Sequence, residues 1–202
     1  MKMVVGIDEV GRGPLAGPVT VGAFIAPYSM RGKLIKLLGG KIKDSKKLTH
    51  EQRSSINRSI CDLKQQGKVD FRITHISNSA IDKKGISKAI TQAITLSLKK
   101  LHHKFSNTKG DPLSVRLDGL LKAPEEYRSQ KTIIKGDEKD VFIACASIVA
   151  KVKRDRLMSR LAKKYPLYAF NIHKGYGTTK HRQLIKKYGL SSIHRLTFCK
   201  NI

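Results

Sequence analysis

The stretch Met3 to Pro18, MVVGIDEVGRGPLAGP, restricts what this chain can fold into more than any other segment. Met3 to Ile7 are apolar or glycine, the pattern of a short strand buried on both faces. Asp8 and Glu9 close that strand, and Gly11-Arg12-Gly13-Pro14 turns the chain at once. Neighbouring side chains on a strand point to opposite faces, so the two acids share a ligand only where the strand ends or bends, as Gly11 permits. Carboxylates that stay ionised side by side need a cation, and hard oxygen donors suit Mg2+ or Mn2+. For an isolated Asp-Glu pair a solvated strand end is the plain alternative. Here the Gly-Arg-Gly turn weighs against it, because bare backbone and a guanidinium beside two acids suit a phosphate bound next to a metal.

Charge points the same way. Lysine and arginine number 41 against 15 acids, a formal net charge of +26. A polyanion is the expected partner, with nucleic acid ahead of an anionic membrane surface. No apolar run approaches the roughly 20 residues that span a bilayer, and the N-terminus enters a strand directly instead of a signal peptide. Cys61, Cys145 and Cys199 are scattered without CxxC spacing, which indicates neither a zinc site nor a disulfide framework. Cytoplasmic localisation is therefore expected. Tryptophan is absent and aromatics make up 6%, so contact with a nucleic-acid backbone should outweigh base stacking. A length of 202 residues suits one domain with a substantial core.

Further along, Val19 to Ala26 reads as a second buried strand in a hairpin with the first. Met30 to Lys47 is basic and glycine-containing, with Gly39-Gly40 marking a flexible loop. Thr49 to Gln52 forms a capping box for a helix reaching about Gln66, and the Ser45-Lys46-Lys47 cluster before it is either a phosphate contact or ordinary loop solvation. Val69 to Ile76 alternates as a third strand, and Ser87 to Phe105 carries an apolar helical stripe that belongs to the core. His102 and His103 end that helix, where positive charge suits its dipole better than a metal does. Ser114 to Leu117 is a strand that runs into Asp118, and Thr132 to Ile134 is a strand that precedes Lys135-Gly136-Asp137. Acids thus follow three separate strands.

The longest helix is expected from Val141 to about Lys164. Its first half is rich in small residues, so it can lie close to a sheet and present Ser147 without crowding. Its second half is basic, either a solvated face or a phosphate stripe, with Asp155 forming helix ion pairs. Tyr165-Pro166 breaks it. Tyr176 then lies between two glycines, free to stack on a sugar or base or to pack as a hinge, ahead of a basic helix from about Lys180 to Tyr188. Leu190 to Ile202 is basic and weakly patterned.

Together these segments resemble ribonuclease HII, the type 2 ribonuclease H family. The resemblance rests on GIDEVGRGPLAGPV at Gly6 to Val19, DSKKLT at Asp44 to Thr49, LDG at Leu117 to Gly119, KGD at Lys135 to Asp137, ASIVAKVKRD at Ala146 to Asp155 and HKGYGTTKH at His173 to His181. It implies an α/β ribonuclease H-like fold with a mixed central sheet of about five strands flanked by helices. A single catalytic domain over 1–202 is implied, with a helical C-terminal portion from about 160 closing over the substrate. It also implies that Asp8, Glu9, Asp118 and Asp137 hold two Mn2+ or Mg2+ ions for phosphodiester hydrolysis, and that Asp155 is not one of this set.

The activity implied is cleavage of the RNA strand of RNA/DNA hybrids, and nicking on the 5' side of single ribonucleotides in duplex DNA. The ends would be 5'-phosphate and 3'-hydroxyl, and the task would be removal of misincorporated ribonucleotides and RNA primers. Selectivity is assigned by the resemblance to Gly11, Arg12 and Gly13 and to Tyr176, with Lys46 as a phosphate contact and Ser147 in the substrate-binding set. Two departures stand out: Leu120 after the Asp-Gly pair, and the tail HRLTF at His194 to Phe198. The short tail offers no evident peptide for a replication clamp, and a monomer is expected. The type 3 ribonuclease H is the nearest rival, with a glycine turn that usually lacks Arg12. A noncatalytic basic protein that coats nucleic acid is the rival of a different class.

Overall fold

Alternation along β1 (Met3–Val10) organises the sheet. A computed structural model describes residues 2–40, 42, 48–105 and 113–202. β1 pairs antiparallel with β2 (Val19–Pro27), which pairs antiparallel with β3 (Asp70–Ile76). On its other side β1 pairs in parallel with β4 (Ser114–Asp118), followed in parallel by β5 (Gln130–Ile133). The order β3-β2-β1-β4-β5 is the mixed five-stranded sheet expected from the sequence.

Helices cover both faces. Met3, Val5 and Ile7 point with Val19, Val21, Ala23 and Ile25 into a core closed by α4 (Ile86–Phe105), next to the short α3 (Asn78–Lys84). The opposite face packs Val4, Phe24 and Ala26 against α1 (Arg31–Leu37), α2 (His50–Gln65) and α6 (Val141–Lys164). Two glycines let α6 sit almost on the strands. A Cβ on Gly6 would lie 2.1 Å from the Phe142 carbonyl carbon, and one on Gly22 would lie 2.5 Å from the Ala146 carbonyl oxygen. Asp140 starts α6, its carboxylate accepting from the Phe142 and Ile143 N–H groups while pairing with Arg116 of β4.

The structure departs from the sequence expectations in several places. β1 does not end at the acids but runs on to Val10, because Val21 and Thr20 of β2 continue the ladder opposite Glu9 and Val10. The basic stretch after Pro27 holds a helix that the sequence did not show: a 3-10 turn at Tyr28–Met30 leads into α1, ahead of Gly39 and Gly40, which take positive φ where the sequence marks a loop. Alternation in β3 fades from buried Phe71 to exposed His75, since β3 is an edge strand. Asp137 lies inside a helical turn, α5 (Gly136–Lys139), and not directly on a strand end. The Asp44-to-Lys47 motif, including Lys46, and the 107–111 loop fall outside the described residues, as do the side chains of His102 and His103.

The C-terminal portion comprises α7 (Phe170–His173), α8 (Thr179–Tyr188) and a tail. The tail returns to the first turn of the chain, with a bridge between Ala16 and His194. Cys61, Cys145 and Cys199 are free thiols. Among the described residues no helix is long and apolar enough to cross a membrane.

Candidate active site

Three alternating positions of β1 face α6: Val4, Gly6 and Asp8. Asp8 is paired across the ladder with Gly22, so nothing larger than hydrogen separates β2 from the helix at the level of the acid. That close approach brings Ser147 of α6 into hydrogen bonding with the Asp8 carboxylate. β4 runs parallel with Ile7 opposite Leu117, which sets Asp118 beside Asp8 at the same ends of neighbouring strands. Asp118 Oδ1 in turn accepts from the Gly136 N–H at 2.6 Å, tying α5 and Asp137 to the same place. Lys135, just before, holds a left-handed φ of 55°, so the backbone bends sharply to make this contact.

Asp8, Glu9, Asp118, Asp137 and Ser147 therefore line one cleft of about 390 Å³, together with Arg53 and Lys151. Glu9 points the other way from Asp8 along the strand, yet it also lines the cleft, past the last register pair of β1 with β4 at Ile7 and Leu117. Crowding of negative charge in a half-dry site has a measurable consequence. Burial, with repulsion from Asp118, Glu9 and Asp137 added, pushes the Asp8 carboxyl up to about 8, against the hydrogen bond from Ser147. Glu9 is raised by burial too, partly offset by Arg12, whose guanidinium lies 3.3 Å from its carboxylate.

Among the described residues no three acidic, imidazole or thiol groups stand close enough to make a closed cation cage. Three of the carboxylates are each held by a donor of their own: Asp8 by the Glu9 N–H at 2.8 Å, Asp118 by Gly136, and Glu9 by Arg12. The donor set is all oxygen and all anionic, and one member is protonated more readily than it should be. Both features fit a hard divalent cation, which would replace the proton and relieve the repulsion.

Of the substrate-binding residues expected from the sequence, Ser147 lines this cleft, Gly11 to Gly13 follow the cleft residues Glu9 and Val10 along the chain, and Lys46 lies outside the described residues. Gly11, at φ 86°, leaves β1 into the exposed turn of Arg12 and Gly13, and a Cβ on Gly11 would meet Arg154 Nε at 2.2 Å. The Tyr176 loop docks on the next few residues, its Gly175 carbonyl accepting from the Leu15 N–H at 2.8 Å. The Arg154 guanidinium lies 5.7 Å from the centre of the half-exposed Tyr176 ring and donates to the Pro18 and Lys174 carbonyls. Asp155 pairs with Lys151 one helical turn earlier, as expected.

Three buried histidines hold the Tyr176 loop from behind. His181 Nδ1 lies 2.9 Å from the Tyr176 carbonyl oxygen, so it carries the proton and donates, which leaves Nε2 to accept from His194 Nε2–H at 3.1 Å. His194 Nδ1 then accepts from the Ser191 N–H at 2.8 Å. His173 stacks on His181, accepts from the Gly175 N–H at Nδ1 and donates from Nε2 to the Tyr168 carbonyl. One consistent set of neutral tautomers satisfies the chain of contacts.

The sequence did not point to Arg53, to Lys151 as a cleft residue, or to any contact of His194 and Arg195, which it marked only as part of a tail that departs from the family pattern. Arg53 had a usable signal, since it stands one turn into the capped helix after the Ser-Lys-Lys cluster. Nothing local marks Arg195.

Residues 5–201 match the family described as Ribonuclease HII. The ribonuclease HII of Caldicellulosiruptor bescii is 40% identical over 201 residues, covering 100% of this chain and 88% of that one. The ribonuclease HII in a PCNA complex from Archaeoglobus fulgidus superposes with a TM-score of 0.74 at 25% identity, over 96% of this chain and 94% of that one. A Bst-RNase HIII crystallised with Mn2+ shares the fold, with a TM-score of 0.71 at 21% identity, over 97% of this chain and 67% of that one.

Proposed function

The chain belongs to the ribonuclease HII family and is a ribonuclease H, and from that premise we propose that it nicks duplex DNA on the 5' side of single embedded ribonucleotides as well as cutting RNA/DNA hybrids. The observation that carries this is the junction of two features at Glu9. Four carboxylates line one cleft, and Arg12 of the Gly11–Gly13 turn is bonded to one of them. A phosphodiester entering the cleft thus meets the acids on one side and the turn on the other.

We assign Asp8, Glu9, Asp118 and Asp137 as the residues that would hold divalent cations, Mg2+ or Mn2+. When bound, such ions supply Lewis acidity for attack of water on the phosphorus and for departure of the 3'-oxygen. Ser147 orients the Asp8 carboxylate. The exposed backbone and guanidinium of Gly11, Arg12 and Gly13 read the ribonucleotide, for which the 2'-hydroxyl is the distinguishing group. Tyr176 packs on the next sugar, where a deoxyribose leaves more room for the ring. Lys46 contacts phosphate. The basic second half of α6 and the start of α2, with Lys153, Arg156, Arg160, Lys163 and His50, line a groove of about 670 Å³ that suits the duplex backbone. The role this supports is removal of misincorporated ribonucleotides and RNA primers.

The test is cleavage of a labelled DNA duplex containing one ribonucleotide, with Mg2+, Mn2+ or chelator, beside an all-DNA duplex and an RNA/DNA hybrid. A cation-dependent nick immediately 5' to the ribonucleotide is expected. Cutting of the hybrid alone would overturn the junction reading, and cutting that persists in chelator would overturn the assignment of the acids.

A further inference from the structure

The turn that carries Arg12 is held from beneath by a guanidinium from the far end of the chain. Arg195 is fully buried. Its Nη2 donates to the Gly11 carbonyl at 2.7 Å, its Nη1 to the Arg12 carbonyl at 2.8 Å and its Nε to the Gly17 carbonyl at 3.0 Å. The Arg195 backbone N–H adds a bond to the Leu15 carbonyl at 2.7 Å. All four acceptors belong to residues 11–17, and among the described residues no carboxylate forms an ion pair with this guanidinium. Asp82 attracts this guanidinium without forming an ion pair with it, but burying a charge whose donors meet only carbonyls is costly, and a well-packed apolar side chain would stabilise the same site at less cost. The arrangement therefore calls for a role beyond stability.

Peptide geometry supplies one. No peptide bond here is cis, and in a trans peptide the carbonyl and the following N–H point to opposite sides. Gly11 C=O shares its plane with the Arg12 N–H, and Arg12 C=O with the Gly13 N–H. Pinning both carbonyls inward on one rigid, planar fork turns both N–H groups outward, on residues that are exposed. A cation at a carbonyl oxygen also polarises the peptide and strengthens its N–H as a donor.

We propose that Arg195 is a positioning residue for substrate recognition, aiming the Arg12 and Gly13 N–H groups at the 2'-oxygen of the ribonucleotide. This rests on reading the Gly11–Gly13 turn as the ribonucleotide sensor. Arg195→Lys keeps the charge but cannot reach three carbonyls at once, and Arg195→Met removes charge and fork while filling much of the volume. In each, KM for the single-ribonucleotide duplex should rise about tenfold with kcat changed less than twofold, the scale of one weakened hydrogen bond. The inhibition constant of an all-DNA duplex should stay the same. A parallel rise in that constant would overturn the assignment to the sugar oxygen, because phosphate contacts are common to both duplexes. A fall in kcat at unchanged KM would mean a structural role only. Should Arg195→Met fail to fold, amide spectra of Arg195→Lys still decide: the Arg12 and Gly13 proton resonances should move upfield while those of Asp118 and Asp137 stay, and unmoved Arg12 and Gly13 resonances would overturn the proposal. If the parent protein itself does not favour the ribonucleotide duplex, the sensor reading fails first, and the amide shifts still report on Arg195 separately.

Discussion

Replacing Asp8 by asparagine should make the protein more stable while abolishing its catalysis. The carboxyl moves from 3.8 to about 8 on folding in the absence of a cation, chiefly through burial. The folded protein then holds a proton that the unfolded chain has released, so stability falls as pH rises from about 4 to about 8. At about 1.36 kcal/mol per pH unit, the part lost between pH 5 and pH 8 has an upper bound of about 4 kcal/mol. Relaxation and water entry around the ionised group should bring it to about 2 kcal/mol. The amide of the variant keeps an acceptor for the Glu9 N–H and carries no charge, so Asp8→Asn escapes this loss. Urea melts in chelator would show parent and Asp8→Asn protein nearly equal at pH 5, with the variant ahead by about 2 kcal/mol at pH 8. Added Mg2+ should close the gap by stabilising the parent alone. Equal stabilities at both pH values, or a less stable variant at pH 8, would refute the electrostatic reasoning.

Gly22→Ala drives a Cβ to within 2.5 Å of the Ala146 carbonyl; a loss of about 2–3 kcal/mol is expected in urea melts, with reduced cleavage as Ser147 is carried off Asp8. Burial, opposed by the bond to the Tyr176 carbonyl and reinforced by His173 and His194, lowers His181 to about 4. Its contribution is therefore present above pH 6.5 and lost as pH falls toward 4, and His181→Asn, which retains a donor for Tyr176, should flatten that part of the stability profile. Duplex affinity should fall steeply with salt, the logarithm of the binding constant losing about 0.9 per phosphate contacted for each decade; a flat response would contradict the grip assigned to α6.

The candidate site was legible in the sequence where its parts are local. Asp8, Glu9 and the glycine turn are consecutive, and α6 runs over the expected Val141–Lys164, its end marked by the tyrosine-proline pair. Convergence was a different matter. That Asp118 lies beside Asp8 depends on β4 pairing with β1 across more than a hundred residues, which strand patterns do not encode; the family motifs supplied it. α1 and α3 are each seven residues long, too short for a helical stripe to stand out from a basic loop. Arg195 had no local signal at all, since an arginine in a basic tail reads as solvated and only its carbonyl partners at the other terminus bury it.

That long reach bears on when the protein can work. The carbonyls of Gly11 and Arg12 are bonded by a side chain 184 and 183 residues later. A growing chain emerging from the ribosome presents Asp8, Glu9 and its first hairpin well before the guanidinium beneath the turn is made. Contacts this distant also carry a larger loop-closure cost than the β1–β2 hairpin. In the reading proposed above, the scaffold that carries the acids would then be in place before the turn that tells one sugar from another is held in its final form.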